Sequence, residues 1–87
     1  MRKEFVYFIQ DGDQVKIGRS YSPTKRLFQL RLEKTKSMKI IKTIEFETFE
    51  KSCLKEQSLH AKFKHLNTSG EWFKLDSELK KEIEGML

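Results

Sequence analysis

A glutamate lies where an amphipathic helix is expected to carry an apolar side chain. Residues 53–63 read CLKEQSLHAKF, and successive residues of an α-helix are separated by about 100° around its axis. On that helical wheel Phe49 and Phe63 lie within about 20° of Glu56, one on each side. Glu56 is therefore predicted at the centre of the apolar stripe. His60 follows one turn later, at about 40° from Glu56.

A carboxylate in such a position must be neutralised, bound to a metal ion or paired with a cation. Arg26 is a candidate partner because it lies at the margin of the apolar face of an earlier predicted helix, about 40° from Leu30. Half-buried charge pairs often belong to active sites. The residues alone leave two interpretations open: a structural Glu56–Arg26 pair that ties two helices together, or an active site.

The elements that would position these residues follow from periodicity and turn signals. We predict strands over 5–9 and 15–18 with a turn at 11–13, a helix over 23–32, a strand over 38–47, a helix from 49 to about 66 capped by Thr48, a loop over 67–70, a short extended piece over 71–75, and a last helix capped by Asp76. The order β-β-α-β-α-(β)-α predicts an α+β sandwich with a mainly antiparallel three-stranded sheet. One domain over residues 1–87 is expected.

Composition excludes several classes of protein. The chain has 87 residues, of which 37% are hydrophobic, and no apolar run approaches the ~20 residues of a membrane span. The N-terminus becomes acidic before a long apolar segment develops, so no signal peptide is predicted. A single cysteine excludes an internal disulfide framework and a CxxC metal site. We expect a soluble intracellular protein.

The positive charge is concentrated in one segment. The net charge is +5, but residues 16–42 hold nine Lys or Arg against Glu33 alone, a net charge of +8. Such a concentration indicates a polyanionic partner, most often nucleic acid, and a solvated lysine-rich face is the alternative. The side chains that we expect at nucleic acid are Lys16, Arg19, Lys25, Arg31, Lys34 and Lys36.

Four features in fixed order resemble the GIY-YIG endonuclease superfamily, which is named for two strand tripeptides followed by an arginine and, later, a glutamate. Here Tyr7 lies on the first predicted strand, KIG occupies residues 16–18, Arg26 comes eight residues later, and Glu56 lies in a later helix. The tail EQSLHAKF…GEWFKL is similar to a short Orf-type DNA-binding branch found in phages, viruses and bacteria. The resemblance covers residues 6–75.

The resemblance implies a metal-dependent DNA endonuclease in which Tyr7, Arg26 and Glu56 are catalytic and Lys16 and His60 support them. Glu56 would hold one divalent ion, Mg²⁺ or Mn²⁺, because Mg²⁺ accepts a single carboxylate completed by water and phosphate oxygens. Arg26 would donate to the phosphate oxygens, the ion would neutralise the leaving oxygen, and Tyr7 would position or deprotonate the attacking water.

The second tripeptide departs from the superfamily pattern, since Lys16 replaces its tyrosine. Lysine keeps a donor and adds positive charge but supplies no phenol. His60 is open to two interpretations, support of the metal site or packing with a hydrogen bond to backbone. Three residues are expected to have structural roles: Gly18, whose missing Cβ permits a close approach, Gly70, and Trp72, which is expected in the core.

Two other functions remain open. A nucleic-acid-binding module that keeps the GIY-YIG fold without cleavage is favoured by the substitution at Lys16. A small protein-interaction adaptor would bind no nucleic acid. For the nuclease we expect DNA as partner, no membrane, a second copy or a partner protein to supply specificity, and the cytoplasm of a bacterium or phage-infected host as location.

Overall fold

The aromatic and β-branched residues near the N-terminus form the hairpin at the centre of the sheet. The computed structural model describes residues 3–33 and 37–86. In chain order its elements are β1 (Glu4–Asp11), β2 (Gln14–Ser20), α1 (Pro23–Glu33), β3 (Lys39–Phe46), α2 (Phe49–Lys62), a 3₁₀ turn (Lys64–Leu66), β4 (Asn67–Ser69), β5 (Trp72–Lys74) and α3 (Ser77–Glu84). The turn between β1 and β2 places Gly12 at φ 64°, a conformation that glycine adopts without steric cost.

The prediction of a three-stranded sheet is wrong. Within residues 3–33 and 37–86 the protein is an α+β domain with three helices and a five-stranded antiparallel sheet in the order β3-β1-β2-β5-β4. The additional strands come from the segment predicted as a loop and an extended piece. β4 and β5 have three residues each, which is too short for an alternating pattern to be read from sequence. They pair because Gly70 turns the chain at φ 53° and Phe73 is buried in the core.

The helices begin where their caps predict. Thr48 Oγ1 accepts a hydrogen bond from the Lys51 backbone N–H at 3.2 Å, and Asp76 Oδ1 accepts one from the Leu79 N–H at 3.0 Å. Each cap satisfies a donor that the first helical turn leaves unpaired. α2 ends at Lys62 rather than near residue 66, because the chain there tightens into the 3₁₀ turn.

Alternate residues of the central hairpin face different helices. Val6, Phe8, Val15 and Ile17 pack with Leu59, Phe63, Leu79 and Ile83 of α2 and α3. Tyr7 and Ile9 pack on the opposite face with Leu30 of α1 and with Met38. The sheet is thus covered by α1 on one face and by α2 and α3 on the other. Over residues 3–33 and 37–86, every helix is too short or too polar to cross a lipid bilayer.

Candidate active site

The candidate site lies where β2 runs beyond its neighbour β5. β5 pairs with β2 at Gln14, Val15 and Lys16, so the second half of β2 extends past it. Ile17 uses its backbone to hold two other segments there. Its N–H donates to the Glu71 carbonyl at 3.0 Å, and its carbonyl accepts from His60 Nε2 at 2.8 Å. These bonds bring α2 and the segment before β5 to the same sheet edge.

Tyr7 reaches this edge by crossing Gly18. The two residues are directly paired between β1 and β2, and a Cβ at residue 18 would lie 2.5 Å from Tyr7 Cζ, closer than two carbon atoms can pack. Glycine is therefore required under the phenol ring. The Arg26 side chain of α1 lies close enough to the Tyr7 hydroxyl to lower its pKa.

The environment of Tyr7 keeps its hydroxyl protonated. Its side chain is 2% exposed, and this burial is the main cause of a raised pKa for the phenol. The carboxylates of Glu71 and Glu56 raise the pKa further, whereas Arg26 lowers it. Both carboxylates and the guanidinium therefore influence the pKa of the phenol.

Glu56 lies among buried and half-buried residues of α2, whereas Phe49 lies outside the core. Leu59 and Phe63 are fully buried, but Phe49 is 56% exposed and its ring lies 4.2 Å below the Arg19 guanidinium carbon. The helical wheel was wrong to count Phe49 as a core residue. Glu56 remains mostly covered, with 15% of its side chain exposed.

Glu71 is a site residue that sequence reasoning missed. One carboxylate oxygen each of Glu56 and Glu71 and a ring nitrogen of His60 all lie within 4.8 Å of one another. The pKa of Glu56 is raised, first by burial and then by the Glu71 carboxylate, while positive charge on His60 and Arg19 opposes this. The GEWF motif contained Glu71, but only the pairing of β5 with β2 shows where its side chain lies.

Two cations of β2 turn toward these carboxylates. Lys16 Nζ lies 3.0 Å from Glu71 Oε1, and 10% of the lysine side chain is exposed. Arg19 Nε lies 3.8 Å from Glu56 Oε1, and Nη1 lies 3.8 Å from Glu4 Oε1. The buried Arg19 Nε has no hydrogen-bond partner among the described residues. We call Tyr7, Lys16, Arg19, Arg26, Glu56, His60 and Glu71 the edge cluster.

The predicted direct pair between Glu56 and Arg26 is replaced by a contact through the phenol. Across the described ranges these two side chains form no ion pair within 4.0 Å; Arg19 is the cation beside Glu56. Arg26 instead lies beside the Tyr7 hydroxyl, whose pKa it lowers, and donates from Nη1 to Gln29 Oε1 at 3.4 Å. Tyr7 thus connects the guanidinium on α1 with the carboxylates on the other side of the edge.

The remaining predicted residues lie around the cluster. Lys25 and Arg31 are exposed on α1, and Arg31 Nε donates to the Met38 carbonyl at 2.9 Å. Trp72 is partly buried against the Tyr7 face of the sheet, and Lys16 Nζ lies 5.9 Å from its ring centroid. Lys34 and Lys36 lie outside the described residues. The contribution of these basic residues to nucleic-acid binding stays a prediction.

The family comparison covers nearly the whole chain. Residues 4–86 match the model of the T5orf172 domain, a domain that is found in phage Orf-type proteins and is associated with GIY-YIG-like and endonuclease-related families. Comparison with curated proteins and with solved structures gives no significant match. Because the match spans the sheet, all three helices of the described residues and the whole edge cluster, the chain belongs to the T5orf172 domain family.

Proposed function

We propose that this protein is a metal-dependent DNA endonuclease of the GIY-YIG type, which hydrolyses a phosphodiester bond. The observation that carries the proposal is the convergence of a phenol, a guanidinium and a carboxylate from three different elements at one sheet edge. Tyr7 of β1 lies close enough to Arg26 of α1 and to Glu56 of α2 that both side chains shift its pKa. These are the three residues that the resemblance to GIY-YIG nucleases selected.

The donor set suits a divalent cation. Glu56 and Glu71 approach closely enough that Glu71 raises the pKa of Glu56, and a cation bound between them would relieve this repulsion. Carboxylate oxygens are the ligands that Mg²⁺ and Mn²⁺ accept. Glu56 would hold the ion. Once bound, the ion supplies charge neutralisation at the leaving oxygen and lowers the pKa of water bound to it.

The protein side chains have distinct tasks at the phosphate. Arg26 offers a planar set of donors that matches two phosphate oxygens, and charge builds on those oxygens in the transition state. Tyr7 holds its proton in the buried site, so its hydroxyl first serves to orient the attacking water by hydrogen bonding. It can accept a proton from that water only as the phenolate, after added positive charge has lowered its pKa and its own proton has passed to solvent. Lys16 neutralises Glu71 and adds positive charge near the phosphate.

The rest of the basic segment would hold DNA without reading its sequence. Lys25 and Arg31 are exposed on the same helix that carries Arg26, which supports a role for them in binding phosphates. Binding through such contacts weakens steeply as salt rises, because each neutralised phosphate releases condensed counterions. A second copy of the chain or a partner protein would supply sequence specificity.

Nicking of supercoiled plasmid in Mg²⁺ or Mn²⁺ tests the proposal. We expect Glu56→Gln and Arg26→Lys each to lower the nicking rate by at least about 100-fold, the scale of losing one group that stabilises the transition state. Glu78→Gln is the matched control, because Glu78 bonds His65 on the other side of α2. A wild-type protein that binds plasmid without nicking it, or a Glu56→Gln variant that nicks normally, would contradict the proposal.

A second candidate function is a nucleic-acid-binding module without cleavage. The observation in its favour is that Lys16 lies 3.0 Å from Glu71 and Arg19 lies beside Glu56, so both carboxylates have a cation without any metal. This function predicts a salt-sensitive gel shift that Glu56→Gln leaves unchanged, and no nicking in either metal ion.

A further inference from the structure

The cation site of the edge cluster contains more donors than the single glutamate that the resemblance to nucleases requires. Glu56, His60 and Glu71 each present a ligand atom, and the three atoms lie within 4.8 Å of one another. They come from α2 and from the segment before β5, two parts of the chain that Ile17 holds together through its backbone.

The orientation of His60 leaves one ring nitrogen for a ligand. Its Nε2 must carry the hydrogen that it donates to the Ile17 carbonyl at 2.8 Å, because a carbonyl oxygen only accepts. In the neutral ring Nδ1 then has a free lone pair. A backbone carbonyl that fixes the tautomer in this way is the usual second partner of a histidine bound to metal. Phe73 packs against the ring, with centroids 5.0 Å apart, and limits its rotation.

The second carboxylate is also held in place. Glu71 follows Gly70 in the β4–β5 turn, and its backbone carbonyl is anchored by the Ile17 N–H at 3.0 Å. One oxygen of its carboxylate lies within 4.8 Å of a Glu56 carboxylate oxygen, an arrangement that a proton or a bound cation stabilises. Lys16 neutralises Glu71 from one side.

An imidazole nitrogen changes which ions the site prefers. Mg²⁺ favours a shell made entirely of oxygen and retains several waters, whereas Mn²⁺ and later first-row ions accept imidazole readily. We infer that Glu56, His60 and Glu71 together form a three-ligand site that selects Mn²⁺ over Mg²⁺. The inference rests on the proposed function and specifies its metal ion.

Calorimetric titration with MnCl₂ and MgCl₂, without DNA, measures the selectivity. We expect the wild-type protein to bind Mn²⁺ at least about tenfold more tightly than Mg²⁺. Glu71→Gln and His60→Gln should each weaken Mn²⁺ binding by about tenfold or more, at least the loss caused by removing a residue that supports a metal ligand. Glutamine at position 60 keeps an N–H donor for Ile17, and His65→Gln and Glu78→Gln are the matched controls.

Pulsed electron paramagnetic resonance gives a readout that a purely structural role would not change. The Mn²⁺ complex should show coupling to a nitrogen nucleus, and His60→Gln should abolish it. Equal affinity for both ions, or wild-type Mn²⁺ affinity in Glu71→Gln, overturns the inference. If Glu56→Gln abolishes Mn²⁺ binding while Glu71→Gln and His60→Gln leave it unchanged, the inference fails and the one-carboxylate nuclease stands. If the metal affinities behave as expected but plasmid is not nicked, the nuclease fails and the metal site stands.

Discussion

Two sets of charged residues join elements of this protein, and they are arranged differently. Between α3 and the end of α2 with its 3₁₀ turn, Lys62 Nζ lies 2.7 Å from Glu82 Oε1 and His65 Nε2 lies 2.9 Å from Glu78 Oε1. We call these the helix pairs. Each joins one basic group to one carboxylate, at short distance and with both side chains partly in solvent.

In the edge cluster only Glu71 has such a close cation, Lys16 at 3.0 Å. Glu56 and Glu71 face each other, Arg19 approaches Glu56 only to 3.8 Å, and a phenol is buried beside them. Burial and like charge raise the free energy of the ionised cluster, whereas the helix pairs cost almost nothing to keep. Clusters of charged groups that lower the stability of the folded state are common at sites that bind a ligand. The contrast supports the proposal that the edge cluster binds a cation and a phosphate.

The largest effect is expected where the backbone makes room for the cluster. Gly18→Ala places a methyl group 2.5 Å from Tyr7 Cζ, so the phenol ring must move. We expect the free energy of unfolding to fall by about 1–3 kcal/mol, the usual cost of overpacking, and the nicking activity to be lost. Urea denaturation measures the first effect.

A double-mutant cycle tests whether the ring is the cause. Gly18→Ala in a Tyr7→Leu background should cost clearly less than in the wild-type protein, because the flexible leucine can yield. The same cost in both backgrounds would show that Gly18 is needed for another reason.

The next largest effect on the free energy of unfolding is expected for Glu56→Gln, and its sign is opposite to that of Gly18→Ala. Its pKa is raised in the folded protein, mainly by burial and by Glu71. A raised carboxyl pKa means that the folded state is favoured below the ordinary pKa of 4.5 and loses that advantage as pH rises through the folded value. Glu56→Gln should therefore raise the free energy of unfolding at neutral pH, by roughly 0.5–2 kcal/mol.

The pH dependence provides the check. The gain from Glu56→Gln should be small well below pH 4.5, where both states carry the proton, and should grow toward neutral pH. Urea denaturation at several pH values, without divalent ions, measures this difference. A gain that is independent of pH would mean that the substitution acts through packing instead of charge.

The hairpin and the helix caps could be predicted from sequence because each depends on local signals, whereas Tyr7 was selected only by the resemblance to GIY-YIG nucleases. Asp11, Gly12 and Asp13 indicate a turn, and Thr48 and Asp76 indicate helix starts. Tyr7 and Arg26 lie on β1 and α1, two elements that were predicted from such signals and that meet at the site.

The features that could not be predicted from sequence depend on contacts between segments that are distant in the chain. β5 exists because Trp72 and Phe73 pair with Lys16 and Val15, a register that no pattern in three residues can specify. The same register carries Glu71 to the site. Phe49 was misjudged for a related reason: it is apolar and in phase with the core, yet it lies under Arg19, which the wheel of one helix cannot show.

The smallest effect on the free energy of unfolding is expected at the helix pairs. Its dependence on salt concentration should differ from that of the edge cluster. Glu78→Gln removes an exposed pair with His65 and a negative charge in the first turn of α3, which should lower the free energy of unfolding by less than about 1 kcal/mol. In roughly 1 M salt, where the Debye length is about 3 Å, this loss should nearly disappear. The gain from Glu56→Gln should largely persist, because a side chain with 15% exposure is poorly screened. If salt removes both effects equally, Glu56 is as solvated as Glu78, and the contrast between the two regions would be lost.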